Sequence, residues 1–287
     1  MTFRDDVDIS GHGGRTGGGG RGMAVGGGIG SLVLVGIFLL LGGNPADIGQ
    51  ILGEGQQQSQ PAGELEGCNS GADANARVEC RVAGTKDSVR KVWSKVLPEQ
   101  AGIEYKDGGL VVFQNSTNSG CGMASAKTGP FYCPGDETAY FDTSFFDMLK
   151  QLGGENAPLA QEYIVAHEYG HHVQKLEGTL GLSNYNDPGE DSNAVRIELQ
   201  ADCYAGLWAH HAEKDGTLNP LSDQEVQGAM NTARAVGDDN IQKRSGGDVR
   251  PDLWTHGSSE QRMNAFLTGY REGTMKACDT LGKKQYR

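Results

Sequence analysis

His167 and His171 stand four residues apart in the run His167-Glu168-Tyr169-Gly170-His171-His172. On a helix, positions i and i+4 lie one turn above each other, so both imidazoles can face one divalent ion. Glu168, next to the first histidine, is placed to take a proton from water and pass it to a leaving amine, which is the general acid–base chemistry of metal-assisted hydrolysis. The apolar residues from Leu159 to Leu176 recur at helical spacing, as the pair requires. His172 is rotated about 100° from the metal-facing side and reads as structural, like His210 and His211 near another helix end.

A catalytic zinc ion (Zn2+) takes three protein ligands and keeps a fourth position for water. The metzincin pattern needs His at 177 and Gly at 174; Glu177 and Gln174 exclude it. Downstream, Glu198 and Asp202 are again four apart on one helical face. This resembles the way thermolysin-like gluzincins complete their site. The resemblance implies Glu198 as the third ligand and Asp202 as acceptor of the free ring N–H of His167, fixing its tautomer. A helix-surface carboxylate is the other reading of Asp202. The same enzymes support the developing oxyanion with a His or Tyr downstream of the third ligand, and His256 in Thr255-His256-Gly257 is the candidate, against a plain surface or capping role.

These residues need rigid elements. Periodicity predicts helices over 85–98, stopped by Pro98, and over 144–152, 158–176, 192–214, 222–236 and 258–275, the last with a Ser258/Gln261 capping signature. Leu110–Phe113 and Thr138–Asp142 read as short strands. A small sheet followed by a mainly helical remainder is an α+β pattern. In the second site helix, Ala201, Ala205 and Gly206 are small and Leu199, Cys203 and Leu207 form an apolar row, so it can pack closely on the first. The segment 131–142 could present a free strand edge to an extended peptide, with Tyr140 in the cleft; an ordinary packed edge strand is the alternative.

Four stretches, His167–Gln174, Glu198–Gly206, Gly129–Pro134 and Thr255–Arg262, together resemble the bacterial putative neutral zinc metallopeptidase family over roughly Cys80 to Cys278. That resemblance implies a zincin-like domain and a membrane-anchored zinc peptidase, with His167, His171 and Glu198 as ligands and Glu168 catalytic. The expected substrate is a peptide or protein. A reading from another class keeps the zinc but uses it to staple two helices of a non-catalytic extracytoplasmic binding module, which requires a closed, four-ligand site.

The rest of the chain bears on location. With 25 Lys and Arg against 37 Asp and Glu, the net charge is −12, and no basic run suits nucleic acid. Residues 1–22, glycine-rich from Gly11, read as a disordered cytoplasmic tail. Residues 23–43 carry no charge and would reach roughly 30 Å as a helix, enough for one transmembrane span. No small-residue cleavage pattern follows, which favours an uncleaved anchor over a signal peptide. Arg4, Arg15 and Arg21 precede this span and no Lys or Arg follows until Arg77, so the amino terminus is expected in the cytoplasm and the bulk outside. Residues 44–67 read as a flexible linker and 68–287 as the extracytoplasmic domain. All six cysteines lie beyond the span, and their separations suggest disulfides Cys68–Cys80, Cys121–Cys133 and Cys203–Cys278.

Overall fold

From the amino terminus the chain forms β1 (Gly14–Thr16), β2 (Gly63–Glu64), α1 (Gly71–Ala76), α2 (Val78–Ala101), β3 (Gly109–Phe113), β4 (Ser116–Ser119), β5 (Gly122–Ser125), β6 (Phe131–Cys133), β7 (Thr138–Asp142), α3 (Phe145–Gln151), α4 (Pro158–Glu177), α5 (Asn193–Lys214), α6 (Asp223–Ala235), α7 (Asp238–Arg244) and α8 (Ser259–Glu272). The computed structural model describes residues 2–17, 63–125, 129–151, 153–244, 246, 248–282 and 286. The architecture is α+β. One sheet runs in the order β2-β1-β3-β7-β6, and β4 and β5 form a separate hairpin. β1 and β7 are parallel to β3, while β2 and β6 run antiparallel to their neighbours.

The helix ends follow local chemistry. Pro158 opens α4 at a position where no backbone donor is needed, and Gly178, at φ 74°, supplies the left-handed residue that closes it. Ser192 caps α5 by accepting the backbone N–H of Val195. Pro98 does not stop α2, which runs on to Ala101 before Gly102 ends it; Pro98 lies in the last turn on an exposed side. Likewise α8 ends at Glu272, with Gly273 at φ 62°, and Met275–Cys278 is a separate 3-10 turn.

Small residues set the helix spacing that builds the site. A Cβ on Gly170 of α4 would lie 3.0 Å from the Cα of Ala201 of α5, so the two helices touch at that level. Gly206 serves a different neighbour from the one its helix face suggests: a Cβ there would lie 2.0 Å from the Phe266 carbonyl oxygen of α8. α5 is therefore clamped between α4 and α8. Behind it, Trp93 of α2 meets Tyr204 edge-on with ring centres 5.0 Å apart, and Trp208 donates to the Ser88 hydroxyl at 3.0 Å. Three disulfides, Cys68–Cys80, Cys121–Cys133 and Cys203–Cys278, pair as their separations suggest.

Two expectations about the amino-terminal part are corrected. Residues 2–17 are not a disordered tail: Phe3 and Ile9 are fully buried in the main core, and β1 lies between β2 and β3. Asn219 donates its backbone N–H to the Thr2 carbonyl at 2.7 Å, and Asn75 donates its side-chain amide to the Phe3 carbonyl at 2.8 Å. The segment has few apolar residues, but distant partners satisfy its backbone, Phe3 and Ile9 are covered, and Val7 is partly buried against the same core. The folded domain also begins before Cys68, since β2 and the buried Leu65 precede it. Among the described residues no helix is long and apolar enough to cross a membrane, and the expected span over 23–43 lies outside them.

Candidate active site

α4 presents His167 and His171 one turn apart, with ring centres 4.8 Å from each other. Across the α4–α5 contact, Glu198 brings one carboxylate oxygen to 3.3 Å from His167 Nε2 and the other to 3.7 Å from His171 Nε2. One ligand atom from each of the three residues lies within 4.8 Å of the others, close enough for a single metal ion. Two imidazoles and one carboxylate suit zinc with a position left open. Among the described residues no fourth His, Cys, Asp or Glu joins this group.

Asp202 cannot easily become a fourth ligand, because its oxygens are committed. It accepts from His167 Nδ1 at 2.8 Å, from Arg262 Nε at 2.8 Å and Nη2 at 3.0 Å, and from the Tyr163 hydroxyl at 2.5 Å. The first of these bonds leaves His167 Nε2 facing Glu198, the tautomer that a metal ligand needs. His171 is oriented by its neighbour one turn on: its Nδ1 pairs with Gln174 Oε1 at 2.9 Å, and Gln174 in turn donates to the Ile197 carbonyl at 2.7 Å.

The electrostatics suit a cation. Burial alone would push the His167 imidazolium down, but Asp202 and Glu198 override it and raise its pKa to about 10. Burial would raise Glu198, yet the surrounding histidines hold it well below the usual carboxylate range. Glu168 is buried at the wall of the adjoining cavity; burial raises its pKa, and His167 and His171 partly restrain that rise.

That cavity has a volume of about 360 Å³ and is lined by Tyr163, His167, Glu168, His171, Glu198 and Arg262. Its apolar wall comes from Phe131, Tyr132, Pro134, Phe145 and Ile164. β6, which carries Phe131 and Tyr132, is the edge strand of the sheet, and the backbone N–H of Tyr132 bonds to Glu168. The segment 131–142 is two strands joined by a turn, so Tyr140 lies on the inner strand β7, stacked behind Phe131 at 5.0 Å with its hydroxyl on Asp136. Tyr140 does not line the cavity.

His256 does line it. Its Nδ1 pairs with Asp238 Oδ1 at 3.1 Å, while its Nε2 is buried without a hydrogen-bond partner. Burial would lower the His256 pKa, but Asp238 and the more distant Glu198 raise it. Asp238 also accepts the backbone N–H groups of Thr255, His256 and Gly257 at 2.8, 2.7 and 3.2 Å, pinning the loop. The remaining histidines are structural: His172 bridges the Tyr132 hydroxyl and the Lys106 carbonyl, His210 and His211 bond to the carbonyls of Tyr270 and Gly273, and His12 accepts the Gly14 backbone N–H.

Sequence reasoning missed four residues here. Arg262 closes the motif Thr255–Arg262, and Tyr163 precedes His167 by one turn, a spacing that marks it as a neighbour of the metal-facing side. Asp238 lies 18 residues before His256, at the start of the short helix α7, and carries no local signal. Tyr185, from the loop before α5, lines the cavity and donates to Glu198 Oε1 at 3.2 Å.

The comparisons with known proteins point the same way. An uncharacterized protein of Mycobacterium tuberculosis is 48% identical over 229 residues, covering 77% of this chain and 76% of the relative. An uncharacterized protein of Escherichia coli is 36% identical over 271 residues, covering 92% of this chain and 91% of the relative. No solved structure matches. The family match runs over residues 3–281, which takes in the amino-terminal segment as well as the metal-ligand candidates, and it implies zinc as cofactor. The chain belongs to the putative neutral zinc metallopeptidase family.

Proposed function

We propose that this protein is a zinc-dependent endopeptidase that hydrolyses peptide bonds in extended polypeptides outside the cytoplasm. The observation that carries this reading is the convergence of His167, His171 and Glu198 beside a buried carboxylate, Glu168, at the wall of an open cavity. Zinc held by those three residues would supply a Lewis acid that polarises a carbonyl and acidifies water. Glu168 takes the water proton and delivers it to the leaving amine; its burial raises its proton affinity toward the range where it can do both. His256 Nε2, buried and unpartnered, donates to the carbonyl oxygen as negative charge grows there, and Asp238 holds the ring in that orientation. An extended peptide can add to the edge strand β6, which brings its backbone past Glu168.

The three disulfides support an oxidising compartment, and we propose that residues 23–43 attach the domain to a membrane. The catalytic reading is tested by metal analysis and proteolysis on the purified full chain. About one zinc per chain is expected, and Glu168→Gln should retain it while losing cleavage of an unfolded polypeptide by a factor of roughly 10²–10⁴. Cleavage retained by Glu168→Gln would refute the mechanism.

A further inference from the structure

We infer that residues 2–17 lie on the same side of the membrane as the rest of the domain. This rests on the proposed membrane attachment, and the carrying observation is the pairing on either side of the apolar segment. β1, which precedes it, and β2, which follows it, are antiparallel neighbours, with Arg15 opposite Glu64 and Thr16 opposite Gly63. The Thr16 hydroxyl and the Gly63 backbone hydrogen-bond to each other in both directions, at 3.0 and 3.2 Å. Gly17 donates to the Val112 carbonyl at 2.9 Å, so the chain leaves the sheet beside the place where it returns.

A single crossing would put those two ends on opposite faces of a layer about 30 Å thick. Residues 23–43 are the only long uncharged run between them, enough for one crossing and too few for two. Nor can the amino-terminal strip belong to the other face without undoing the fold. Phe3 and Ile9 are fully buried, the Thr2 hydroxyl donates to Glu162 on α4, and β1 fills the edge of β3 that would otherwise be exposed. The charge argument for a cytoplasmic amino terminus weakens for the same reason. Arg15 is a residue of β1, and Arg4 donates its backbone N–H to the Thr217 carbonyl.

The test uses the full chain in spheroplasts, with single cysteines at Asp6→Cys in the amino-terminal strip and at Glu260→Cys on α8, both exposed positions. Each is probed with a membrane-impermeant maleimide before and after permeabilisation. Equal labelling of both in intact spheroplasts is the expected result. Labelling of both only after permeabilisation would uphold the same-side inference and refute the extracytoplasmic location. Labelling of Glu260→Cys alone in intact spheroplasts would overturn the inference, and recovery of the protein wholly in the soluble fraction would overturn the membrane reading beneath it. A second arm is independent of which side is exposed. In the double variant Arg15→Cys/Glu64→Cys, with a protease site placed between residues 44 and 62, the two cleaved fragments should stay linked until reductant is added. Separation without reductant would overturn the pairing in the membrane-bound protein.

Discussion

Asp202 and Asp238 each hold a histidine of the candidate site, but by different means. Asp202 sits on α5 between two long helices and shares its charge with Arg262, Tyr163 and His167. Asp238 stands at the start of a seven-residue helix, meets His256 with one oxygen and spends the other on three backbone N–H groups of one loop. The first arrangement fixes a side chain through the packing of the whole helical layer; the second fixes a loop through one carboxylate. The ligand side of the site should accordingly be coupled to global stability, and the His256 side to turnover.

Substitutions can break that contrast. The largest effect is expected from Arg262→Met, which leaves the buried Asp202 charge without its counter-ion; about 3–5 kcal/mol of stability should be lost in urea unfolding. No comparable loss is expected from His256→Gln, which should instead lower kcat by roughly 10²-fold with little change in KM, as removal of one oxyanion donor does. Asp202→Asn should weaken zinc binding by about 10–100-fold, measured by competition with a chelator. Asp238→Asn should leave zinc affinity unchanged and lower kcat by about an order of magnitude, less than loss of His256 itself. A zinc defect in Asp238→Asn would show that the two sides are one unit.

A third buried carboxylate sharpens the comparison because it lacks a full set of partners. Glu162 of α4 accepts from the Thr2 hydroxyl, and Arg81 Nε lies 4.0 Å away. Burial raises its pKa from 4.5 to about 7, with Thr2 and Arg81 pulling the other way. A carboxyl raised in the folded state stabilises the fold fully below its unfolded pKa and loses that contribution as pH rises to about 7. Stability should therefore decline between about pH 4.5 and 7 by on the order of 3 kcal/mol at most, and Glu162→Gln should remove this part of the slope.

The contrast also explains what could be read from sequence. His167, Glu168 and His171 were legible because a helix converts a spacing of four into a shared face, and Glu198 and Asp202 repeat the device on α5. Their meeting depends on the Gly170–Ala201 contact, which small residues hint at without naming the partner. Gly206 illustrates the gap, since it admits α8 instead of α4. Asp238 and Tyr185 reach the site through a short helix and a loop, where no periodicity marks a direction. Residues 2–17 were misread for a related reason. Their composition promises little burial, and their order comes from β3, Asn75 and Asn219, all far away in the chain.

The central claim is that two imidazoles and one carboxylate bind a metal that still has room for solvent. X-ray absorption spectroscopy of the zinc-loaded full chain tests it most directly. The expected result is a four-coordinate ion with two imidazole ligands, no sulfur, and oxygen from one carboxylate and one exchangeable solvent molecule. Four protein ligands, or loss of fewer than one ligand in Glu198→Gln, would contradict it.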